Sequence, residues 1–270
     1  MKKHKICKIL LVILAIFLCV AFYELLGICV AYKKQPEVSN TTKKETKNGS
    51  WNECSENTER AVIIEKNPEA LLQRVRLIKN AKKEIILSTF AFQSDESGKL
   101  ILGALHDAAD RGVHIRLLVD GMESWIDMEG NPYFYGLSSH ENVEIKLYNK
   151  ANPLKPWKMM GRMHDKYLIA DGKRYILGGR NTYNYFLGDF PGHKNYDRDV
   201  LVVCDEPEKE NSVNQLLEYF ETIWEQEDSG YFHDNKKLAN RKSVKNAVLE
   251  LQNSYQKYFE ENKERICETD

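Results

Sequence analysis

The sequence contains few cysteines outside its N-terminal segment, and none at the spacing of a metal site. Three of the six lie in or beside the apolar N-terminus, and the rest of the chain has Cys54, Cys204 and Cys267. An odd number of cysteines without a CxxC pair predicts neither a zinc site nor a disulfide framework. Cysteine content therefore argues against a small domain held together by metal or disulfides.

The chain also lacks the basic surplus of many nucleic-acid-binding proteins. Residues 1–50 contain nine Lys and three Glu, whereas the remainder contains 30 basic and 37 acidic residues. A duplex-binding domain usually clusters Lys and Arg on one face. The mildly acidic body makes nucleic acid a disfavoured partner, although a local basic groove is still compatible with this composition. No internal repeat is present.

One long apolar run is present, from Ile6 to Val30, interrupted by Lys8 and Glu24. A membrane-spanning helix needs about 20 such residues, whereas a cleavable signal has an apolar core of about 7–15. We therefore predict a single-pass transmembrane anchor at 1–32 and a membrane location. The lysines before the run favour an extracytoplasmic body, although two further lysines follow the run and weaken this orientation.

The remaining chain divides by composition into three parts. Residues 33–60 are polar and rich in Lys, Asn, Thr and Ser, which is typical of a linker. Residues 61–230 alternate short β-rich runs with amphipathic helical patterns, and residues 231–270 are predicted to form a helical C-terminal extension with a solvated charged face. This alternation predicts an α/β fold, with a mixed β-sheet flanked by helices. The predicted strands are 61–65, 84–92, 114–121, 142–148, 163–170, 173–179 and 199–203.

The segment from His164 to Asn181, HDKYLIADGKRYILGGRN, carries the candidate chemistry. On a strand, His164 and Lys166 point to the same face, because side chains alternate with a period of two. An imidazole can attack phosphorus as a nucleophile, and a lysine can stabilise negative charge on phosphoryl oxygens. Gly178 and Gly179 allow the backbone to approach a phosphate closely, and the amide of Asn181 can donate a hydrogen bond. The segment has no cluster of metal-ligand spacing, so neither a metal nor a cofactor is predicted.

This spacing resembles the HKD motif of the phospholipase D superfamily, including the trailing Gly-Gly-x-Asn. The resemblance covers about residues 61–230, where the stretch FAFQSDESGKLILGALHDAADRGVHIRLLVDG is similar to the first half of a cardiolipin synthase-type enzyme. It implies a phospholipase D-like catalytic half-domain that transfers or hydrolyses a phosphatidyl group through a phosphohistidine. The implied substrate is a phospholipid.

An acidic side chain is expected to hold the His164 ring through its second nitrogen. Asp199 is the first candidate, at the start of the last strand, and Asp197 is the alternative because it faces the same way. Relatives commonly have Glu at this place. Asp171 belongs to the motif, but it lies on the opposite face of an extended chain. We interpret it as a structural member that holds a turn.

The chain contains a single HKD motif, whereas cardiolipin synthase-type enzymes place two in one chain. A site with one His lacks its general acid, so we expect a second half-site as partner, either from another chain or from a homodimer mate. We expect the chain to be the N-terminal half of a longer protein, because its body is far larger than the minimal single-motif nucleases and its insert resembles the two-motif enzymes; dimerisation is the alternative. The alternatives to a lipid enzyme are a homodimeric phosphodiester nuclease and an inactive half-domain that serves as a membrane-bound interaction module.

Other conspicuous residues have ordinary structural interpretations. The remaining histidines of the folded part are expected to be surface or structural groups: His106, His114, His140, His193 and His233. An aromatic-rich insert precedes the motif, and it could form a wall or membrane-facing lip for an acyl substrate or pack into the core. Its aromatic residues are Trp125, Tyr133, Phe134, Tyr135 and Trp157.

Overall fold

A computed structural model describes residues 2–33, 40, 43–44, 59–158, 160–206, 211–233 and 236–267. Most of the predicted linker 33–60 lies outside these residues. Contacts divide the chain into two units. One comprises Met1–Asn57 together with Ala151–Arg162, and the other comprises Thr58–Lys150 together with Met163–Asp270.

The first unit contains one long helix, α1 (Lys2–Lys33), and a short 3-10 turn at Pro156–Lys158. Within α1, Lys5–Ala31 is a 27-residue stretch with a mean hydropathy of 2.9. At 1.5 Å per residue this stretch is about 40 Å long, enough to cross the hydrocarbon core of a bilayer. Length and composition therefore fit the predicted anchor, although a signal sequence would fit the same two criteria.

The second unit is built on an eight-stranded mixed sheet with the order β1-β7-β6-β5-β2-β3-β4-β8. Strands β2, β3 and β4 are parallel to one another, and the other neighbouring pairs are antiparallel. The strands are β1 (Glu59–Ile64), β2 (Glu84–Thr89), β3 (His114–Asp120), β4 (Val143–Tyr148), β5 (Lys166–Ala170), β6 (Arg174–Gly178), β7 (Asp199–Cys204) and β8 (Ser229–Tyr231).

Helices cover both faces of this sheet. The larger core lies on the face covered by most of the helices, and the smaller core lies under α6 on the other face. The helices are α2 (Asn67–Asn80), α3 (Glu96–Asp110), α4 (Gly121–Asp127), α5 (Pro132–Ser138), α6 (Ser212–Trp224), α7 (Lys242–Glu261) and α8 (Lys263–Cys267). The predicted fold class, a mixed α/β sheet flanked by helices, is confirmed.

Local sequence explains where several helices begin. Pro68 lies in the first turn of α2, where its missing N–H costs nothing. Asp95 caps α3 by accepting the Gly98 N–H at 3.0 Å, and Asn131 caps α5 through the Tyr133 N–H at 3.1 Å. Gly112, with φ of 87°, turns the chain after α3.

Two sequence-based expectations need correction. The helical pattern near the C-terminus was expected to be a solvated face, but α7 buries five side chains, and four of them join the larger core. The charged residues of α7 hide an apolar stripe at helical spacing: Val244, Ala247, Leu251, Tyr255 and Phe259. The strand predicted at 163–170 starts only at Lys166, because its partner β2 ends at Thr89, opposite Lys166.

Candidate active site

Four strands end or begin at the same edge of the sheet, and the motif residues meet there. Strand β2 ends at Thr89 opposite Lys166, the first residue of β5, and β6 ends at Gly178 opposite Asp199, the first residue of β7. We call this edge the site edge. It brings together segments that are far apart in sequence, and His164 lies two residues before β5.

His164 and Lys166 are adjacent at the site edge, and their environments differ. Lys166 is buried, with 6% of its surface exposed, whereas His164 is exposed. The Nζ of Lys166 donates a hydrogen bond to the backbone carbonyl of His164 at 2.7 Å. The Phe90 ring contacts both residues, with its centroid 4.6 Å from the His164 ring and 5.3 Å from Nζ. The lysine therefore fixes the backbone that carries the exposed imidazole.

Burial lowers the pKa of Lys166 below its ordinary value, and two carboxylates oppose this effect. These are Asp165 and Asp197, whose negative charges favour the ammonium form. Desolvation has the larger effect on this pKa, because the loss of hydration destabilises the charged lysine more than the two partly solvated carboxylates stabilise it. The result is a lysine that loses its proton more readily than a lysine on the surface.

The Gly178–Asn181 turn lies beside this pair. A side chain at Gly178 would overlap the Asp199 carboxylate and the backbone of Arg198, so this position requires glycine. A side chain at Gly179 would overlap the Asp197 carboxylate and would displace it. The Oδ1 of Asn181 accepts the Ala91 N–H at 3.3 Å. Its Nδ2 amide has no protein acceptor within the described residues, so it is available as a donor to a ligand.

Asp199, the first candidate for a partner of His164, forms a buried ion cluster instead. Its Oδ2 accepts a hydrogen bond from Arg74 at 2.9 Å and lies 3.2 Å from Nη1 of Arg180, and all three side chains are at least 95% buried. Its second oxygen, Oδ1, has no hydrogen-bond partner among the residues that the structure describes. The structure thus brings Asp199 to the site edge but pairs it with two arginines rather than with His164.

Arg180 connects this cluster to three other segments. Its Nε donates to Asn67 Oδ1 at 3.1 Å, and its terminal nitrogens donate to the carbonyls of Ile64, Glu65 and Asp197. Burial lowers the pKa of this guanidinium, and the Asp199 charge opposes the shift. A single buried side chain therefore fixes the turn that carries Asn181 relative to β1 and to the segment before β7.

Asp197, the alternative candidate, acts on Lys166 by its charge. Its carboxylate rests against the Cα of Gly179 and favours the charged form of Lys166. In the sequence, Asp197 lies two residues before Asp199. The negative charge of Asp197 acts to raise the pKa of both Arg180 and Lys166, whereas the charge of Asp199 acts in this way on Arg180.

Asp171 lies at the opposite end of β5, about 16 Å along the chain from Lys166. Its φ is 55°, and its carboxylate accepts the backbone N–H groups of Lys82, Lys83 and Glu84 at 2.7–3.1 Å. These bonds hold the β5–β6 turn against the start of β2. The geometry agrees with the interpretation of Asp171 as the residue that holds a turn.

Two further aspartates support the segment around His164, and the sequence analysis did not single them out. Asp120 caps α4 and accepts the Met163 N–H at 3.1 Å, which ties the residue before His164 to the end of β3. Asp165 accepts the Tyr219 hydroxyl at 2.9 Å. Burial, reinforced by the Asp165 charge, raises the pKa of Tyr219 to about 12. An Asp directly before a helix start was the signal that could have identified Asp120.

The aromatic insert divides between core and surface. Phe134 and Tyr135 are buried in the larger core, whereas Trp125 is 64% exposed. Trp157, in the first unit, is 46% exposed. The core interpretation therefore holds for the aromatics of α5, and the two tryptophans remain surface residues.

Three of the other histidines, His106, His114 and His140, pair with carboxylates outside the motif. His106 and His140 both contact the Asp110 carboxylate, at 3.1 and 3.2 Å. His114 lies at the start of β3, opposite the site edge, and contacts Glu144 at 3.0 Å. Their partners are surface carboxylates, as expected for structural groups.

Comparison with known proteins identifies the family. Residues 74–224, more than half of the chain, match the family described as "Cardiolipin synthase, PLD-like domain". An uncharacterized protein of Helicobacter pylori is 30% identical over 212 residues, which are 73% of this chain and 39% of that protein. Cardiolipin synthase C of Escherichia coli is 29% identical over 171 residues, 58% of this chain and 34% of that enzyme. The chain thus spans well under half the length of these relatives.

Solved structures support the fold. The phosphatidylserine synthase of Haemophilus influenzae superposes with a TM-score of 0.55 at 18% identity, covering 82% of this chain and 48% of that one. NucT from Helicobacter pylori superposes with a TM-score of 0.50 at 17% identity, covering 64% of this chain and 99% of that one. With the family match over residues 74–224, they lead to one conclusion: the chain belongs to the phospholipase D superfamily and is of the cardiolipin synthase type.

Proposed function

We propose that this protein is a membrane-anchored phosphodiesterase or phosphatidyltransferase that acts on phospholipids through a phosphohistidine at His164. The observation that carries the proposal is the site edge itself. There an exposed imidazole lies next to a buried lysine, and a turn offers an amide donor from Asn181. The family match and the apolar helix α1 support a lipid substrate over a soluble one.

The first step is attack of a His164 ring nitrogen on the phosphorus of the diester. A nitrogen–phosphorus bond forms, the bond to the leaving alcohol breaks, and the leaving oxygen takes a proton from a general acid. In the second step, the oxygen of water or of an acceptor alcohol attacks the phosphorus. This attack breaks the nitrogen–phosphorus bond and frees the imidazole, while a base takes the proton of the attacking hydroxyl.

Lys166 and Asn181 stabilise the phosphoryl oxygens in both steps. Each removed donor of this kind typically lowers kcat by about 10²–10³-fold. Asp197 is the carboxylate that we assign to hold the His164 ring, because its charge acts on the neighbouring Lys166, whereas Asp199 is buried against Arg74 and Arg180. Asp171 takes no part in the chemistry, since its carboxylate is occupied by three backbone N–H groups.

The general acid must come from a second half-site. The HKD motif occurs once in the 270 residues, so a second His of this kind lies outside them: in a further segment of a longer protein, in another chain or in a second copy of this one. A missing general acid typically costs about 10²–10⁴-fold in rate. A homodimer would place two copies of the site edge face to face and would need no further protein.

The test measures turnover of phosphatidylglycerol by the full chain in mixed micelles, with molecular mass determined on the same sample. We expect phosphatidic acid or cardiolipin to form and His164→Ala to abolish it. His114→Ala is the matched control, because that histidine lies at the opposite edge of the sheet. Turnover that survives His164→Ala would refute the proposal.

The same samples discriminate the rival functions. Cleavage of single-stranded DNA without turnover of lipid would make the protein a nuclease. If the protein is a folded monomer that turns over neither substrate, and if raising its concentration yields no activity, we would interpret it as an inactive interaction module.

A further inference from the structure

The segment Ala151–Arg162, directly before Met163 and His164 in the chain, has an unusual surface. We call it the interface loop. It contains three basic residues and no acidic residue. Three large apolar side chains are exposed on it: Leu154 by 77%, Trp157 by 46% and Met160 by 51%. Exposed apolar groups that lie together and are rimmed by polar residues mark protein–protein or membrane interaction sites.

The interface loop packs against α1 within the first unit. The Tyr23 hydroxyl donates to the Leu154 carbonyl at 2.9 Å, and Pro156 is buried against Gly27 so closely that a side chain there would overlap its ring. Gly27 thus permits the contact. Both contacts lie in the last third of α1.

The position along α1 gives the depth of the loop. A hydrocarbon core about 30 Å thick takes about 20 helical residues, and 20 residues counted from Lys5 end at Glu24. Tyr23 and Gly27 then lie at the boundary between hydrocarbon and headgroups, where Tyr and Trp are enriched in membrane proteins. A loop packed at this level presents Leu154 and Trp157 to acyl chains and its lysines to headgroups.

We propose that the interface loop docks into the headgroup region of an anionic phospholipid bilayer, a role that rests on the proposed function and adds a recognition element to it. Lys155, Lys158 and Arg162 are complementary to anionic headgroups, and Trp157 and Leu154 supply the apolar contact. The loop leads directly into Met163 and His164 in the sequence. The occupant is a lipid surface of negative charge, such as phosphatidylglycerol.

The test uses the full chain reconstituted in vesicles whose lipids carry brominated acyl chains, which quench nearby tryptophan. Trp157 emission is obtained as the difference between the wild type and Trp157→Phe, and Trp125→Phe is the matched control at another exposed tryptophan. We expect the Trp157 share to be quenched, and more strongly with phosphatidylglycerol than with phosphatidylcholine alone. A Trp157 share that bromine does not quench would overturn the proposal.

A second measurement tests the charges. The double variant Lys155→Gln/Lys158→Gln should raise KM for phosphatidylglycerol with kcat unchanged, by roughly fivefold for each basic residue removed at low salt. The difference should shrink at high salt, because exposed charges are screened. An unchanged KM, or an equal loss on neutral lipid, would overturn the assignment.

The quenching experiment does not depend on catalysis. His164→Ala should show the same Trp157 quenching as the wild type. Quenching of Trp157 without lipid turnover would support the role of the interface loop and refute the proposed chemistry. Lipid turnover without quenching would support the chemistry and refute the role of the loop.

Discussion

Replacement of Asp171 tests whether this motif residue holds the structure or takes part in the reaction. Its carboxylate accepts three backbone N–H groups at the start of β2. Hydrogen bonds to a charged group contribute about 1.5–3 kcal/mol, but Lys82 and Lys83 are exposed and water can replace part of this. We estimate a loss of about 2 kcal/mol when the acceptor is removed.

The backbone adds a second contribution. Asp171 has a φ of 55°, a conformation that Asn and Gly adopt readily and that costs Ala about 1–2 kcal/mol more. The expected order of stability is therefore wild type, Asp171→Asn, Asp171→Gly, Asp171→Ala. The Ala variant should lose about 3 kcal/mol, which corresponds to a fall in Tm of about 6–12 °C.

Thermal unfolding and lipid turnover are measured on the same samples. At a temperature where all variants are folded, Asp171→Asn should keep kcat close to that of the wild type. A hundredfold loss of kcat at unchanged Tm would refute the structural assignment and return Asp171 to the chemistry.

Three further predictions concern the site edge. Because burial lowers the pKa of Lys166, this lysine loses its charge at a lower pH than a surface lysine, and activity should fall as the pH rises through that pKa. The charges of Asp165 and Asp197 favour its ammonium form, so Asp197→Asn should move the alkaline limb of the kcat/KM profile to lower pH. An alkaline limb that does not move would contradict the geometry. Gly179→Ala should lower kcat/KM by about 100-fold because the added carbon displaces Asp197, whereas Gly230→Ala, which meets only Lys150 at 3.9 Å, should be neutral. Arg180→Lys should lower the free energy of unfolding by about 3–5 kcal/mol, because it leaves buried acceptors unpaired. The control Arg60→Lys, at the exposed pair with Asp205, should lower it by at most about 1 kcal/mol. Equal losses would refute the role of the buried cluster.

Much of the sheet could be predicted from sequence, because its central strands are nearly continuous apolar runs. The runs at 84–92 and 114–121 became β2 and β3, buried on both faces. Prediction failed at ends and at short elements. Strand β8 has three residues and no apolar run, so its pairing with β4 is visible only in three dimensions.

The choice between Asp197 and Asp199 shows where sequence reasoning stops. Strand periodicity places both on one face, and the residue closer to the strand start was the natural first candidate. What separates them is Arg74, 125 positions away on α2, which pairs with Asp199. A contact between residues so distant leaves no periodic or local signal, so the sequence alone could not tell that Asp199 belongs to a buried ion cluster.

The strand order explains why Asp197 and Lys166 lie at the same edge of the sheet. The order β7-β6-β5-β2 alternates direction, so the end of one strand adjoins the start of the next at the site edge. Asn181 follows β6, Asp197 precedes β7, and Lys166 opens β5. With Arg180 holding the turn and Asp199 neutralising part of its charge, Asp197 is left facing Gly179 and Lys166. The buried ion cluster thus fixes the turn beside Lys166, and we propose that Asp197, outside this cluster, is the carboxylate that serves the reaction.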